Sequence, residues 1–233
     1  MNQRLKKAGI FLDRVTDSVM TLFCIIIFLI GVYRFYDYAY IFNNAQDKSM
    51  MRFKPDYESD NAEITLPDSV AWLALEDTSV DYPVMQGKDN LEYINKNPYG
   101  EYSLSGSIFL DTRNSSDFTD DYNLVYGHHM ESGLMFGSLD KYLDGKYLDG
   151  HRNGVLVTKD STYKIDVFAA VRVVSTDSLV FSPEEHSNEE IMKMLEKDAD
   201  VFRRPKDGPI LALSTCTNNI PDNRLVVMCT IQK

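Results

Sequence analysis

The run Ser18–Tyr33, SVMTLFCIIIFLIGVY, carries no charged side chain over 16 residues. A bilayer span takes about 20 residues, and the residues that follow extend this one. Arg34 can snorkel to the interface, and Tyr36, Tyr38 and Tyr40 suit an interfacial aromatic belt. A cleavable signal peptide would need small residues at its cut site. Here Tyr, Phe and Asn crowd the far end, so a retained anchor is expected. Arg4, Lys6, Lys7 and Arg14 precede the apolar run. By the positive-inside bias they put the N-terminus in the cytoplasm and the rest of the chain outside. Cys24, within the run, reads as a small hydrophobe.

The formal net charge is −11, and it is unevenly spread. Residues 1–42 carry five basic and three acidic side chains, the remainder 19 and 32. An acidic domain lacks the basic face that phosphate contacts need, which argues against nucleic-acid binding. Hydrophobic residues at 44% are normal for a folded domain, and three Cys exclude a disulfide-built scaffold. The chain divides into a cytoplasmic stub and anchor (1–42), a polar juxtamembrane connector (43–68) with a short helix near Ala45–Phe53, and one domain (69–233).

That domain reads as mainly β. Short β-rich runs recur at Val70–Leu75, Tyr82–Gln86, Ser107–Leu110, Asn123–Tyr126, Gly154–Thr158, Tyr163–Val174, Ile210–Ser214 and Leu225–Ile231. Turn residues separate them, among them Asp149-Gly150. Eight short strands in one domain predict a closed or nearly closed barrel. Helical stretches are expected at Asp89–Asn95, Leu134–Leu143 and Ser182–Phe202. In the last, Ser182 caps and Pro183 opens the helix. Glu184 and Glu185 suit its positive end, and Ile191, Met194, Leu195 and Ala199 form one apolar stripe.

Chemistry must come from few residues. Cys229 lies in the β run LVVMCTIQ and reads as packing, whereas Cys216 ends a strand where small polar residues begin. A thiol there is placed like a nucleophile, although a half-buried Cys or a pairing with Cys229 fits the same position. A Cys nucleophile needs help, because a pKa near 8.5 leaves little thiolate at neutral pH. His151 and His186 read as solvated. His128 and His129 follow the strand Asn123–Tyr126 through Gly127, which is expected to turn the chain. Adjacent strand residues face opposite ways, so one metal ion would not take both. If the last two strands pair antiparallel, Arg224 comes beside Cys216 as a permanent two-donor cation.

This set resembles the sortase family, specifically class B. The pieces are Leu213-Ser214-Thr215-Cys216 followed by Arg224, the upstream Tyr126-Gly127-His128-His129-Met130, and the early segment Asp81–Asn90. The N-terminal anchor and the long helical insertion before the Cys strand agree. The resemblance implies an eight-stranded sortase-type β-barrel with peripheral helices, preceded by a transmembrane helix. It implies a cysteine transpeptidase on a Gram-positive cell surface, which cleaves a C-terminal sorting motif of secreted proteins through a thioacyl-enzyme. The carboxyl end then passes to an amine of a peptidoglycan precursor or, in pilin-polymerising members, of a lysine.

On that resemblance Cys216 is the nucleophile, His128 the catalytic histidine and Arg224 the family arginine. Ser214 and Thr215 with Asn90 and Tyr126 line the substrate groove. No cofactor or metal is implied, and the acidic residues form no EF-hand-like loop. A non-catalytic surface-binding module would be expected to lack one of Cys216, His128 or Arg224. A papain-like order, Cys before His, is the reverse of the one here.

Overall fold

The computed structural model describes residues 3–45, 48–57, 64–182, 184, 186–216 and 222–232. Two compact units result, Met1–Asn43 and Asn44–Lys233.

The first unit is built from helix α1 (Gln3–Ala45). Its stretch Gly9–Tyr40 is long and apolar enough to cross a membrane, by length and composition, and its side chains are exposed. Side-chain hydroxyls near its start bond back to the helix's own backbone. Those of Thr16, Ser18 and Thr21 donate to the carbonyls of Leu12, Arg14 and Asp17, one turn earlier.

In the second unit the chain runs β1 (Ser69–Leu75), β2 (Asp81–Met85), β3 (Ile108–Leu110), β4 (Tyr122–Tyr126), α2 (Gly145–Gly150), β5 (Asn153–Thr158), β6 (Thr162–Val174), α3 (Ser178–Phe181), α4 (Asn188–Asp198), β7 (Val201–Phe202), β8 (Ile210–Cys216) and β9 (Asn223–Gln232). The ring order is β5-β1-β2-β3-β4-β8-β9-β6, and β6 pairs back onto β5 to close an eight-stranded barrel. Two neighbours are parallel, β2 with β3 and β4 with β8.

Alternation along the strands decides which side chains fill the barrel. Leu73, Leu75, Val84, Leu110, Val125, Leu156, Leu211, Leu213 and Val227 belong to the interior cluster. The opposite parity, Leu124, Ala212, Val226 and Met228, packs under Val180 of α3 and Ile191 and Leu195 of α4. Both faces of β8 and β9 are therefore buried, which is why their sequences read as near-continuous apolar runs. A bulge in β6 between Val167 and Ala169 resets the parity, so that Val167 and Ala170 face in while Phe168 and Ala169 face the helices.

The eight expected strands are present, and β7 is an addition, paired to β6 outside the ring. Several helical expectations change. The long helix expected over Ser182–Phe202 is instead α4 alone, and Phe202 is a strand residue. Its start is set by Ser187 and Glu190, which cap each other's backbone N–H groups reciprocally. Pro183 and Glu185 lie outside the described residues. The other expected stretches shrink to 3-10 turns at Glu92–Ile94 and Gly137–Leu143, with a further one at Lys48–Phe53. Asp149-Gly150, read as a turn, ends helix α2.

The turn Gly137–Leu143 closes the loop that leaves β4. A Cβ on Gly137 would lie 2.0 Å from the Met130 carbonyl oxygen, backbone against backbone. Gly137→Ala is therefore expected to cost about 1–3 kcal/mol, the usual penalty for overpacking. A lowered urea midpoint at unchanged slope checks it, and an unshifted midpoint contradicts it.

Candidate active site

Strand β4 brings its C-terminal end beside that of β8. The pair is parallel, with Tyr126 opposite Ser214, and the Gly127 N–H donates to the Ser214 carbonyl at 3.1 Å. Strand β9 flanks β8 on its other side, and their antiparallel register sets Cys216 opposite Arg224. Three neighbouring strands thus deliver His128, Cys216 and Arg224 to one end of the barrel. Cys216 is described by its backbone; Thr217 lies outside the described residues.

A cavity of about 130 Å³ opens at that end. Ile94, Phe109 and Tyr126 form its apolar wall, and Gly127, His128, Ser214, Thr215 and Arg224 complete it. The hydroxyls of Ser214 and Thr215 are buried and find no partner among the described residues. Unpaired buried hydroxyls are costly, so each is a group with bonding capacity left for a ligand. Arg224 is half-buried, and its Nη1 donates to the Asn223 carbonyl at 3.2 Å.

Gly127, expected to turn the chain, has no positive φ, so left-handed backbone is not its reason for being glycine. Space is what demands glycine. A Cβ there would lie 2.5 Å from Ile108 Cδ1 and 2.6 Å from Phe136 Cδ2. The ring of His128 is held from outside its own strand, with Nε2 2.7 Å from the Ile94 carbonyl oxygen. A carbonyl only accepts, so Nε2 is the protonated nitrogen, and Nδ1 is left for proton exchange. His129 turns away and pairs its Nε2 with Asp140 at 2.7 Å.

Behind the cavity wall sits a carboxylate that sequence reasoning missed. Asp111 follows β3, and its side chain is fully buried. Arg113 grips it with two parallel bonds, Nε to Oδ1 at 2.9 Å and Nη2 to Oδ2 at 2.8 Å. Its own backbone N–H adds a third, at 3.0 Å to Oδ1. The Tyr126 hydroxyl and the Asn90 amide both donate to Oδ2 at 3.0 Å. Burial would raise the Asp111 pKa, but the Arg113 bonds and the Tyr126 hydroxyl outweigh it and hold it below the usual carboxylate range. Burial and the Asp111 charge push Tyr126 up, keeping it a donor. Asn90 does not wall the cavity. Its Nδ2 goes to Asp111 and its Oδ1 accepts from the Thr112 N–H at 2.9 Å, one bonded layer behind.

The remaining candidates separate cleanly. Cys229 is fully buried and free, opposite Leu211 in the barrel, and burial pushes its thiol pKa well up. His151 is not simply solvated: it stacks on Tyr147 at 3.8 Å between ring centres. His186 precedes α4, and its Nε2 is buried without a partner among the described residues. Among the described residues no group of three or more His, Cys, Asp or Glu could hold a metal ion.

The family model of the Sortase domain matches residues 73–232. A Sortase B of Listeria monocytogenes is 36% identical over 156 residues, 64% of this chain and 63% of that protein. The match therefore spans under two thirds of that relative. The Sortase B of Staphylococcus aureus is 30% identical over 201 residues, 82% of this chain and 81% of that protein. A crystal structure of a Streptococcus pyogenes class B sortase involved in pilus biogenesis superposes with a TM-score of 0.67 at 34% identity, covering 82% of this chain and 100% of that one. A closed eight-stranded barrel with its cavity at the β4, β8 and β9 ends, matched over most of its length by these proteins, belongs to the sortase family, with class B sortases as its relatives.

Proposed function

We propose that this protein is a membrane-anchored cysteine transpeptidase. It cleaves a C-terminal sorting motif of secreted proteins and transfers the new carboxyl end to an amine of the cell wall peptide. The observation that carries the reading is the register: Cys216 pairs opposite Arg224, on the strand next to the one that leads into His128, and His128, Thr215 and Arg224 line one cavity. The cytoplasmic stub and anchor are residues 1–42, the connector 43–68 and the catalytic domain 69–233, with the domain outside the membrane. The apolar stretch within α1 and the basic residues before it support that topology.

In this mechanism the Cys216 thiolate attacks the scissile carbonyl, a C–S bond forms and the amide C–N bond breaks. His128, as imidazolium, gives the leaving amine its proton from Nδ1, because Nε2–H is tied to Ile94. Arg224 stabilises the charge that builds on the carbonyl oxygen. The thioacyl intermediate then meets an incoming amine, whose proton neutral His128 removes. Ser214 and Thr215 line the cavity, and their unpaired hydroxyls have bonding capacity to offer the motif backbone. Tyr126 supplies apolar wall.

Arg224→Lys keeps the charge but loses the planar pair of donors. Losing one charge-assisted bond of about 1.5–3 kcal/mol predicts about a ten- to hundredfold fall in the acylation rate. Stopped-time mass spectrometry measures it, and full activity would reduce Arg224 to a generic charge.

The acceptor has a second reading. The streptococcal structure is of a sortase involved in pilus biogenesis, which favours a lysine amine on a pilin. The full-length protein in detergent micelles, incubated with peptides of NPxTx, LPxTG and SPxTG type, tests both. Each peptide is offered an oligoglycine amine and a lysine-bearing peptide. A new amide with one of the two supports the transpeptidase and names its acceptor. Failure of every pair, with folded protein and a reactive thiol, contradicts it.

A further inference from the structure

We propose that Asp111 is a positioning residue that fixes the His128 ring from two sides, through Tyr126 and through the loop that carries Asn90 and Ile94. The assignment rests on the transpeptidase reading and deepens it.

Asp111 has more donors than its charge requires. A fully buried carboxylate needs its charge matched and its lone pairs filled. The Arg113 fork and backbone N–H already do both, with bonds of 2.8 to 3.0 Å to the two oxygens. Two further donors nevertheless converge on Oδ2, and neither is needed to neutralise the charge. Each leads to His128 by a short covalent path. Tyr126 lies two residues before His128 at the end of β4, and its hydroxyl is pinned to Asp111. Asn90 lies four residues before Ile94, whose carbonyl holds His128 Nε2 at 2.7 Å. Its amide is clamped at both ends, to the Asp111 carboxylate and to the Thr112 N–H.

Asp111 therefore joins the strand that carries the His128 backbone to the loop that holds the His128 ring. The tie to Ile94 is also what puts the proton on Nε2 and frees Nδ1. Loosening the loop would let the ring tilt and sample the other tautomer. The charge partner is anchored as well, since Arg113 Nη2 donates to the Phe181 carbonyl of α3 at 2.7 Å.

The test uses the full-length protein in micelles, with ring-15N-labelled histidine and the motif peptides named above. His128 signals are assigned by difference against His128→Gln. Wild type is expected to show the Nε2–H tautomer for His128. Asp111→Asn, close in shape, should show a tautomer mixture and a drop in acylation kcat of about ten- to a hundredfold, with KM nearly unchanged, as misplacement of a reacting group predicts. Asn90→Ala should show the same pattern, and the double variant should fall little further than either single one, because both cut the same connection. Should Asp111→Asn fail to fold, Arg113→Gln leaves every cavity-lining residue in place. It should move ring and rate in the same direction, with Arg113→Lys recovering part of both.

A variant with the wild-type tautomer and wild-type kcat overturns the assignment, as do fully additive losses in the double variant. If wild type acylates with no peptide, the transpeptidase reading falls. The ring signals then still decide whether Asp111 holds His128.

Discussion

Cys216→Ala is expected to abolish peptide cleavage and thioacyl formation while leaving the melting temperature within about 2 °C of wild type, as befits a small change at the last residue of a strand. The loss is total because no other thiol can take over. Cys229 is fully buried inside the barrel with its pKa pushed up by burial, so it is kept as a neutral thiol without access to a peptide. Cys24 belongs to the other unit, on the apolar stretch of α1. Cys229→Ala is the contrasting variant. It should retain activity and lose stability modestly, since it empties a small space in a packed interior. Activity that survives Cys216→Ala and disappears in Cys229→Ala would assign the nucleophile wrongly.

His128→Ala is expected to lower the acylation rate by about a hundred- to ten-thousandfold, the usual worth of a positioned acid and base. One proton must reach the leaving amine and another must leave the incoming one, and among the described residues that line the cavity His128 is the one whose side chain can both give and take a proton. His129 cannot substitute, because its ring is engaged with Asp140 and does not line the cavity. His129→Ala should therefore leave the rate within a few-fold of wild type. Intact-mass time courses on both variants check the pair, and equal losses would contradict the choice between the neighbours.

The strands were readable because their residues alternate or run apolar between turn clusters, and that pattern survives folding. The pairing of Cys216 with Arg224 followed from two successive strands joined by a short polar loop, which leaves antiparallel register as the natural outcome. The parallel neighbours were not readable, since β4 meets β8 across more than eighty residues of intervening chain. The helix before β8 was misjudged because Ser182-Pro183-Glu184 imitates a helix start, while the reciprocal cap at Ser187 and Glu190 carried the S-x-x-E signature that marks the real one. Residue type alone suggests a turn at Gly127. Its reason, the approach of Ile108 and Phe136, exists only once the barrel is packed.

Asp111 is one of 35 acidic residues, and its type alone does not set it apart. Its signal was an Asp ending an apolar run with Arg two positions later, a spacing that permits the two-bond grip found here. Asn90 was expected at the groove and instead stands behind its wall, joined to Tyr126 through that carboxylate. The layer that supports a site is assembled from distant segments, so it is the part least visible in a linear pattern.

In the proposed mechanism Cys216 carries the acyl group. Wild-type full-length protein, quenched in acid during incubation with a reactive sorting-motif peptide, should gain the mass of the peptide's N-terminal fragment less water. Fragmentation should map that mass to Cys216. The same mass on any other residue, or peptide turnover with no adduct on any thiol, would contradict the account.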